Sequence, residues 1–119
     1  MKTFKILPFL LVLIFGLCNH LSAQTQGEMN DSAYISYKKT DAELNKVYQQ
    51  LLKGLNKKEK KMLIETEKDW LKFRDSHCDF EAEENEGGSI QPLVWSMCME
   101  NRTKARIEDL KASINSRGL

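Results

Sequence analysis

The sequence predicts an all-α protein: a small antiparallel three-helix domain stapled by one disulfide. Three observations carry this. Apolar residues recur at steps of three and four in three separate stretches, with no alternating run of useful strand length. Gly54–Asn56 and Gly87-Gly88 interrupt the pattern at two places. Two cysteines, Cys78 and Cys98, stand on either side of the second interruption.

The first segment, residues 1–23, reads as a cleaved signal peptide. Lys2 and Lys5 make a basic start, Ile6 to Leu17 is almost unbroken apolar, and Leu21-Ser22-Ala23 supplies small residues before Gln24. The apolar run is short for a bilayer span. Cys18 is preceded by Leu17 rather than a small residue, a poor context for lipid attachment, so it is expected to leave with the leader. The expected product is periplasmic or extracellular, where disulfides persist.

Residues 24–29 read as a flexible lead. Asn30, Asp31 or Ser32 can cap the first helix through a side-chain oxygen. Tyr34, Tyr37, Leu44, Val47, Tyr48, Leu51, Leu52 and Leu55 then fall at helical spacing. Asn56 followed by Glu59 resembles a capping box for the second helix. That helix carries Met62, Leu63, Thr66, Trp70, Phe73, His77 and Phe80 as its expected buried stripe. Ser89 and Pro92 open the third helix, proline being tolerated in a first turn whose donor has no partner there. Leu93, Val94, Met97, Cys98, Ala105, Leu110 and Ile114 are its expected buried side.

A hairpin at Gly87-Gly88 brings Cys78 and Cys98 opposite each other. A bridge between them closes a loop of about twenty residues and stabilises by roughly 3 kcal/mol on the chain-entropy model. A metal site is the alternative, but His77 and Cys78 are helix neighbours that point to different sides and do not share a tetrahedral site readily.

Composition narrows the function classes. The chain has 18 basic and 17 acidic residues. Without the leader's two lysines the balance is slightly acidic, which argues against a nucleic-acid binder. The charges are unevenly placed. Lys57, Lys58, Lys60 and Lys61 open the second helix, and Asp79, Glu81, Glu83, Glu84 and Glu86 close it, opposite to what the helix dipole favours. His77 is the only histidine after the leader, and three short helices offer little cleft for paired carboxylates. No enzyme activity and no cofactor is expected.

Trp70-Leu71-Lys72-Phe73-Arg74-Asp75-Ser76-His77-Cys78 is the densest stretch. Trp70 and Phe73 offer large apolar area. Arg74 is placed to stack on the Trp70 indole or to pair with a carboxylate of the third helix, and Asp75 to pair with Arg102 or Arg106. Taken with Leu44-Asn45-x-x-Tyr48, Gly87-Gly88-Ser89, Cys98, Thr103 and Arg106, this stretch resembles the LprI-type lysozyme inhibitor family of small secreted bacterial domains. The resemblance covers roughly residues 30–114, so the helical domain expected at 30–116 is LprI-like. Many relatives carry further cysteines near the start of the domain, whereas this chain has none between Gln24 and His77.

The resemblance implies an all-helical, disulfide-stapled fold and the binding and inhibition of a lysozyme or related cell-wall hydrolase. An envelope interaction module with a non-lysozyme partner is the alternative. Charge gives the first reading a route: many lysozymes are basic, and an acidic protrusion is steered to a basic surface. Asp79, Glu81, Glu83, Glu84, Glu86 and Ser89 around the glycine turn are therefore the candidate contact residues. Trp70, Phe73, Arg74 and Asp75 are expected to be structural.

Overall fold

The computed structural model describes residues 25–119 in full and, before them, only helical backbone from Leu7. The expected leader, including Cys18, falls outside the fully described part. Three helices make up the described chain: α1 (Leu7–Gly54), α2 (Lys57–Glu83) and α3 (Gln91–Arg117). Among the described residues there is no strand, and no helix is long and apolar enough to cross a membrane.

Side-chain contacts give the directions. Asn30 meets Ser89, Ser36 meets Glu100 and Glu43 meets Lys111, so α1 and α3 run parallel. Asp79 meets Trp95 and Glu67 meets Arg106, so α2 runs antiparallel to α3, and by the same token to α1.

The ends follow from local chemistry. Asn56 Oδ1 accepts from the Glu59 N–H at 3.0 Å, and Glu59 Oε2 accepts from the Asn56 N–H at 3.2 Å, completing the expected capping box. Gly118 closes α3 in the left-handed region (φ 67°), which costs an L side chain but not glycine. The Leu119 N–H then reaches back to the Ile114 carbonyl, a Schellman-type closure. The start of α3 differs from expectation. Ser89 makes no cap; Ile90 precedes the helix without a side-chain bond, and Pro92 sits in the first turn.

α1 also starts earlier than expected. Residues 24–29, expected as a flexible lead, are helical, and Asn30, Asp31 and Ser32 lie inside the helix rather than capping it. Gln26 donates to Asn30 Oδ1 one turn on, and Asn30 Nδ2 donates to the Ser89 carbonyl of the α2–α3 turn. Those bonds use the Asn30 side chain that a cap would need.

The main core is an apolar seam between α1 and α3: Leu44, Val47, Leu51 and Leu55 against Ile107, Leu110 and Ile114. Each fully buried aliphatic side chain contributes about 1.5–3 kcal/mol, so this seam is the largest single stabilising element. Tyr48, Leu63 and Trp70 pack at its edge. A second cluster, Tyr37, Cys78 and Met99 with Trp95 and Cys98, lies nearer the turn.

α2 does not bury the stripe expected of it. Its buried residues are Glu67, Arg74, Cys78 and Ala82, while Met62 (60% exposed), Phe73 (53%) and Phe80 (73%) face outward. The disulfide explains the rotation. Cys78 must face α3 to bond Cys98, with Cα atoms 5.5 Å apart. Phe80 lies two residues on, about 200° around a helix of 3.6 residues per turn, and Phe73 is also far from the Cys78 direction. α3 keeps the expected Leu110 and Ile114 buried, but the part before them is turned: Ser96, Met99, Thr103 and Ile107 are buried, whereas Met97 and Ala105 of the expected face are exposed.

Candidate functional site

Of the motif residues, Arg74 is built into the interior, Trp70 is half-buried at the edge of the core, and Asp75 is exposed beside Arg74. Arg74 is only 5% exposed. Its Nη1 donates to Asp41 Oδ1 of α1 at 3.0 Å and more weakly to Thr103 Oγ1 of α3 at 3.4 Å; its Nε donates to Asp75 Oδ1 at 2.9 Å. The guanidinium lies over two rings, 5.2 Å from the Trp70 centroid and 5.7 Å from that of Tyr37. Burial alone would lower the Arg74 pKa; hydrogen bonding to Asp75 and Asp41 and the field of nearby groups more than offset it, so the net shift is upward. Tyr37 is raised too, first by burial, with Arg74 opposing.

Two pairings differ from expectation. The carboxylate that holds Arg74 across helices belongs to Asp41 of α1, not to α3. Asp75 pairs with its own neighbour Arg74 rather than with Arg102 or Arg106. Arg106 instead clasps Glu67 through Nε (3.0 Å) and Nη2 (2.8 Å), and its guanidinium also lies over the Trp70 ring, 5.7 Å from the centroid. Phe73 stands outside, stacked on His77 with centroids 5.4 Å apart. Arg74 thus ties α2 to α1 and α3 through Nη1 while Asp75 holds its Nε and Nη2 within α2, and no reactive group converges there.

The turn end is different. After α2 the chain passes through Asn85–Ile90, with Gly87 at φ 73° supplying the left-handed step and Gly88 N–H bonding the Asn85 carbonyl. Beside this turn lies an open groove of about 590 Å³ to which all three helices contribute. Asn30, Asp31 and Tyr34 come from α1; Asp79, Ala82 and Glu83 from α2; Gln91, Pro92, Trp95 and Ser96 from α3. Trp95 Nε1 donates to Asp79 Oδ1 at 2.9 Å, which orients both. The Trp95 ring meets Tyr37 edge-on at 5.6 Å, and Tyr37 meets Tyr34 at 6.1 Å. An aromatic ladder therefore holds the groove wall from within.

Of the expected contact residues, Asp79 and Glu83 line the groove. Glu81, Glu84, Glu86 and Ser89 are exposed beside it, Glu81 facing His77 at 3.9 Å and Ser89 offering its carbonyl to Asn30. Asn30, Asp31, Tyr34 and Trp95 were not legible as site residues. Tyr34 falls at core spacing in α1, and only the parallel packing of α1 on α3 brings it to Trp95. Among the described residues no group of three His, Cys, Asp or Glu side chains is arranged to hold a metal ion, and Cys78 and Cys98 are bonded to each other.

The chain belongs to the LprI lysozyme inhibitor family, whose model, described as "Lysozyme inhibitor LprI", matches residues 18–110. It is also similar to an uncharacterized protein of Rhizobium meliloti (strain 1021), 28% identical over 107 residues that cover 79% of this chain and 77% of the relative. No solved structure matches.

Proposed function

We propose that this protein is an exported inhibitor of a lysozyme or a related cell-wall hydrolase, and that it meets its target with the acidic end of the bundle. The observation that carries the reading is the family match, which runs through the motif helix α2, both disulfide cysteines and most of α3. Geometry supports a binding rather than a catalytic role. The buried polar residues of the motif are tied up in structure, whereas the carboxylates of Glu81, Glu83, Glu84 and Glu86 stand exposed around one turn. The disulfide just behind that turn makes it a stiff presenting element, the kind of loop on a rigid scaffold where recognition concentrates. Export is supported by the leader-like residues 1–23 and by the Cys78–Cys98 disulfide, which an oxidising compartment preserves.

The test is inhibition of cell-wall lysis. The oxidised domain is titrated against basic lysozymes of several types, with turbidity of a wall suspension as the readout. Dose-dependent loss of lysis by at least one enzyme is expected. No inhibition of any enzyme by folded, oxidised protein overturns the reading in favour of an envelope interaction module with another partner.

A further inference from the structure

The groove at the turn end is chemically one-sided. It is lined by three carboxylates, Asp31, Asp79 and Glu83, and by the rings of Tyr34 and Trp95, and no lysine or arginine lines it. Among the described residues, no cation pairs with Asp31 or Glu83. Asp79 spends one oxygen on the Trp95 indole N–H and keeps the other for a ligand. Its volume, 590 Å³, lies within the range of about 300–1,000 Å³ typical of ligand pockets.

Such a lining excludes anions and selects a cation that also has a flat apolar face. A metal ion is a poor match, because the acids are not arranged as a ligand set. A guanidinium fits both halves: its plane stacks on aromatic rings, and its five N–H groups match carboxylates. An ammonium is a strongly hydrated point charge and uses the rings less well. Beyond the groove, Glu81, Glu84 and Glu86 extend the negative surface. A ligand complementary to both the groove and that surround is a basic protein surface presenting an arginine, rather than a free small cation.

We propose that the groove receives an arginine side chain of the partner protein, its guanidinium held between the aromatic rings and the carboxylates of Asp31, Asp79 and Glu83. This rests on the reading of the protein as a protein-binding inhibitor, and it adds a specific anchor to what is otherwise long-range attraction. A buried arginine anchor ringed by weaker contacts is a common centre of binding energy in protein interfaces.

The chain has two tryptophans, so its two indole N–H signals report separately on the groove (Trp95) and on the interior motif (Trp70). The test titrates ¹⁵N-labelled full-length domain with acetyl-arginine-amide, and in parallel with acetyl-citrulline-amide, which has nearly the same shape and no charge. The expected result is movement of the Trp95 indole and of the Asp31 and Glu83 amides with the arginine probe alone, the Trp70 indole staying still. The Asp31→Asn/Glu83→Gln double variant should bind the probe about tenfold more weakly, since it removes two exposed charge pairs of modest strength. An unshifted Trp70 indole in the variant shows that it is folded. A Trp95 signal that does not respond, or that responds equally to citrulline, overturns the proposal. Inhibition of wall lysis with no response at Trp95 removes the groove and leaves the inhibitor reading standing. Arginine binding without inhibition of any hydrolase does the reverse.

Discussion

Arg74 of α2 reaches across to Asp41 of α1 with Nη1 and Oδ1 3.0 Å apart, while its Nε is held by Asp75. This matters because α2 buries few apolar side chains of its own and docks through charge, a disulfide, the buried Ala82 and the partly buried Leu63 and Trp70.

Arg74→Ala should therefore be costly. Breaking a buried pair typically loses about 3–5 kcal/mol, and the loss here should fall near 3 kcal/mol because Asp41 and Asp75 both reach solvent. Arg74→Lys should recover little, since an ammonium cannot make the fork to two carboxylates while lying flat on Trp70 and Tyr37. Denaturant unfolding of both variants measures this. A lysine variant as stable as wild type would mean that charge alone, not the fork and the stacking, holds α2.

The double variant Cys78→Ala/Cys98→Ala removes a link that spans 20 residues of sequence. A loss of about 3 kcal/mol is expected from the freed unfolded chain. The groove should suffer as well, since Cys78 and Cys98 pack with Tyr37 and Met99 behind Trp95. Thermal unfolding with and without reductant checks the first part. The Trp95 indole signal checks the second: an unchanged position in the double variant would show that the aromatic ladder stands without the bridge.

Replacing Glu81, Glu83, Glu84 and Glu86 by Gln keeps size and removes charge. All four are exposed, so folding stability should change by less than about 1 kcal/mol. Association with an inhibited lysozyme should slow, and the rate should lose much of its dependence on salt. Neutralising Lys57, Lys58, Lys60 and Lys61 at the far end of α2 should not slow it. Stopped-flow rates at two ionic strengths decide between the ends. If net charge rather than the acidic end guided encounter, the lysine variant, which makes the domain more negative, would speed association about as much as the glutamate variant slows it.

Glu100 provides a pH test of the α1–α3 contact. Its carboxylate pairs with Lys104 and accepts from Ser36 Oγ of α1 at 2.9 Å, and these hold its pKa below the ordinary glutamate range. With the folded pKa below the unfolded one, the stabilisation is full above the unfolded value and is lost as pH falls through the folded one. Glu100→Gln should thus cost about 0.5–1 kcal/mol at neutral pH, with the gap closing in acid. Paired denaturation curves at neutral and acidic pH test this; a gap that widens in acid would contradict the assigned pairing.

Much of the architecture is written locally. The Cys78–Cys98 bridge, across 20 residues, follows from the glycine turn between the two cysteines. The three helices, the Asn56–Glu59 capping box, the glycine that closes α3 and the acidic run follow from residue types a few positions apart. Helical periodicity and capping act within one element, so sequence alone determined them. It did not determine how far each helix is turned about its own axis. Hydrophobicity placed Phe73 and Phe80 inside, but a covalent bond from Cys78 and the ion pairs of Arg74 and Glu67 set the rotation of α2 the other way. Nor did it determine that Asp41 is Arg74's partner, or that Asp31 and Tyr34 share a groove with Asp79 and Trp95. Asp41 and Arg74 lie 33 residues apart, and Asp31 and Tyr34 lie further still from Asp79 and Trp95. Only the docking of all three helices, α1 parallel to α3 along the apolar seam and α2 antiparallel beside them, brings them within reach.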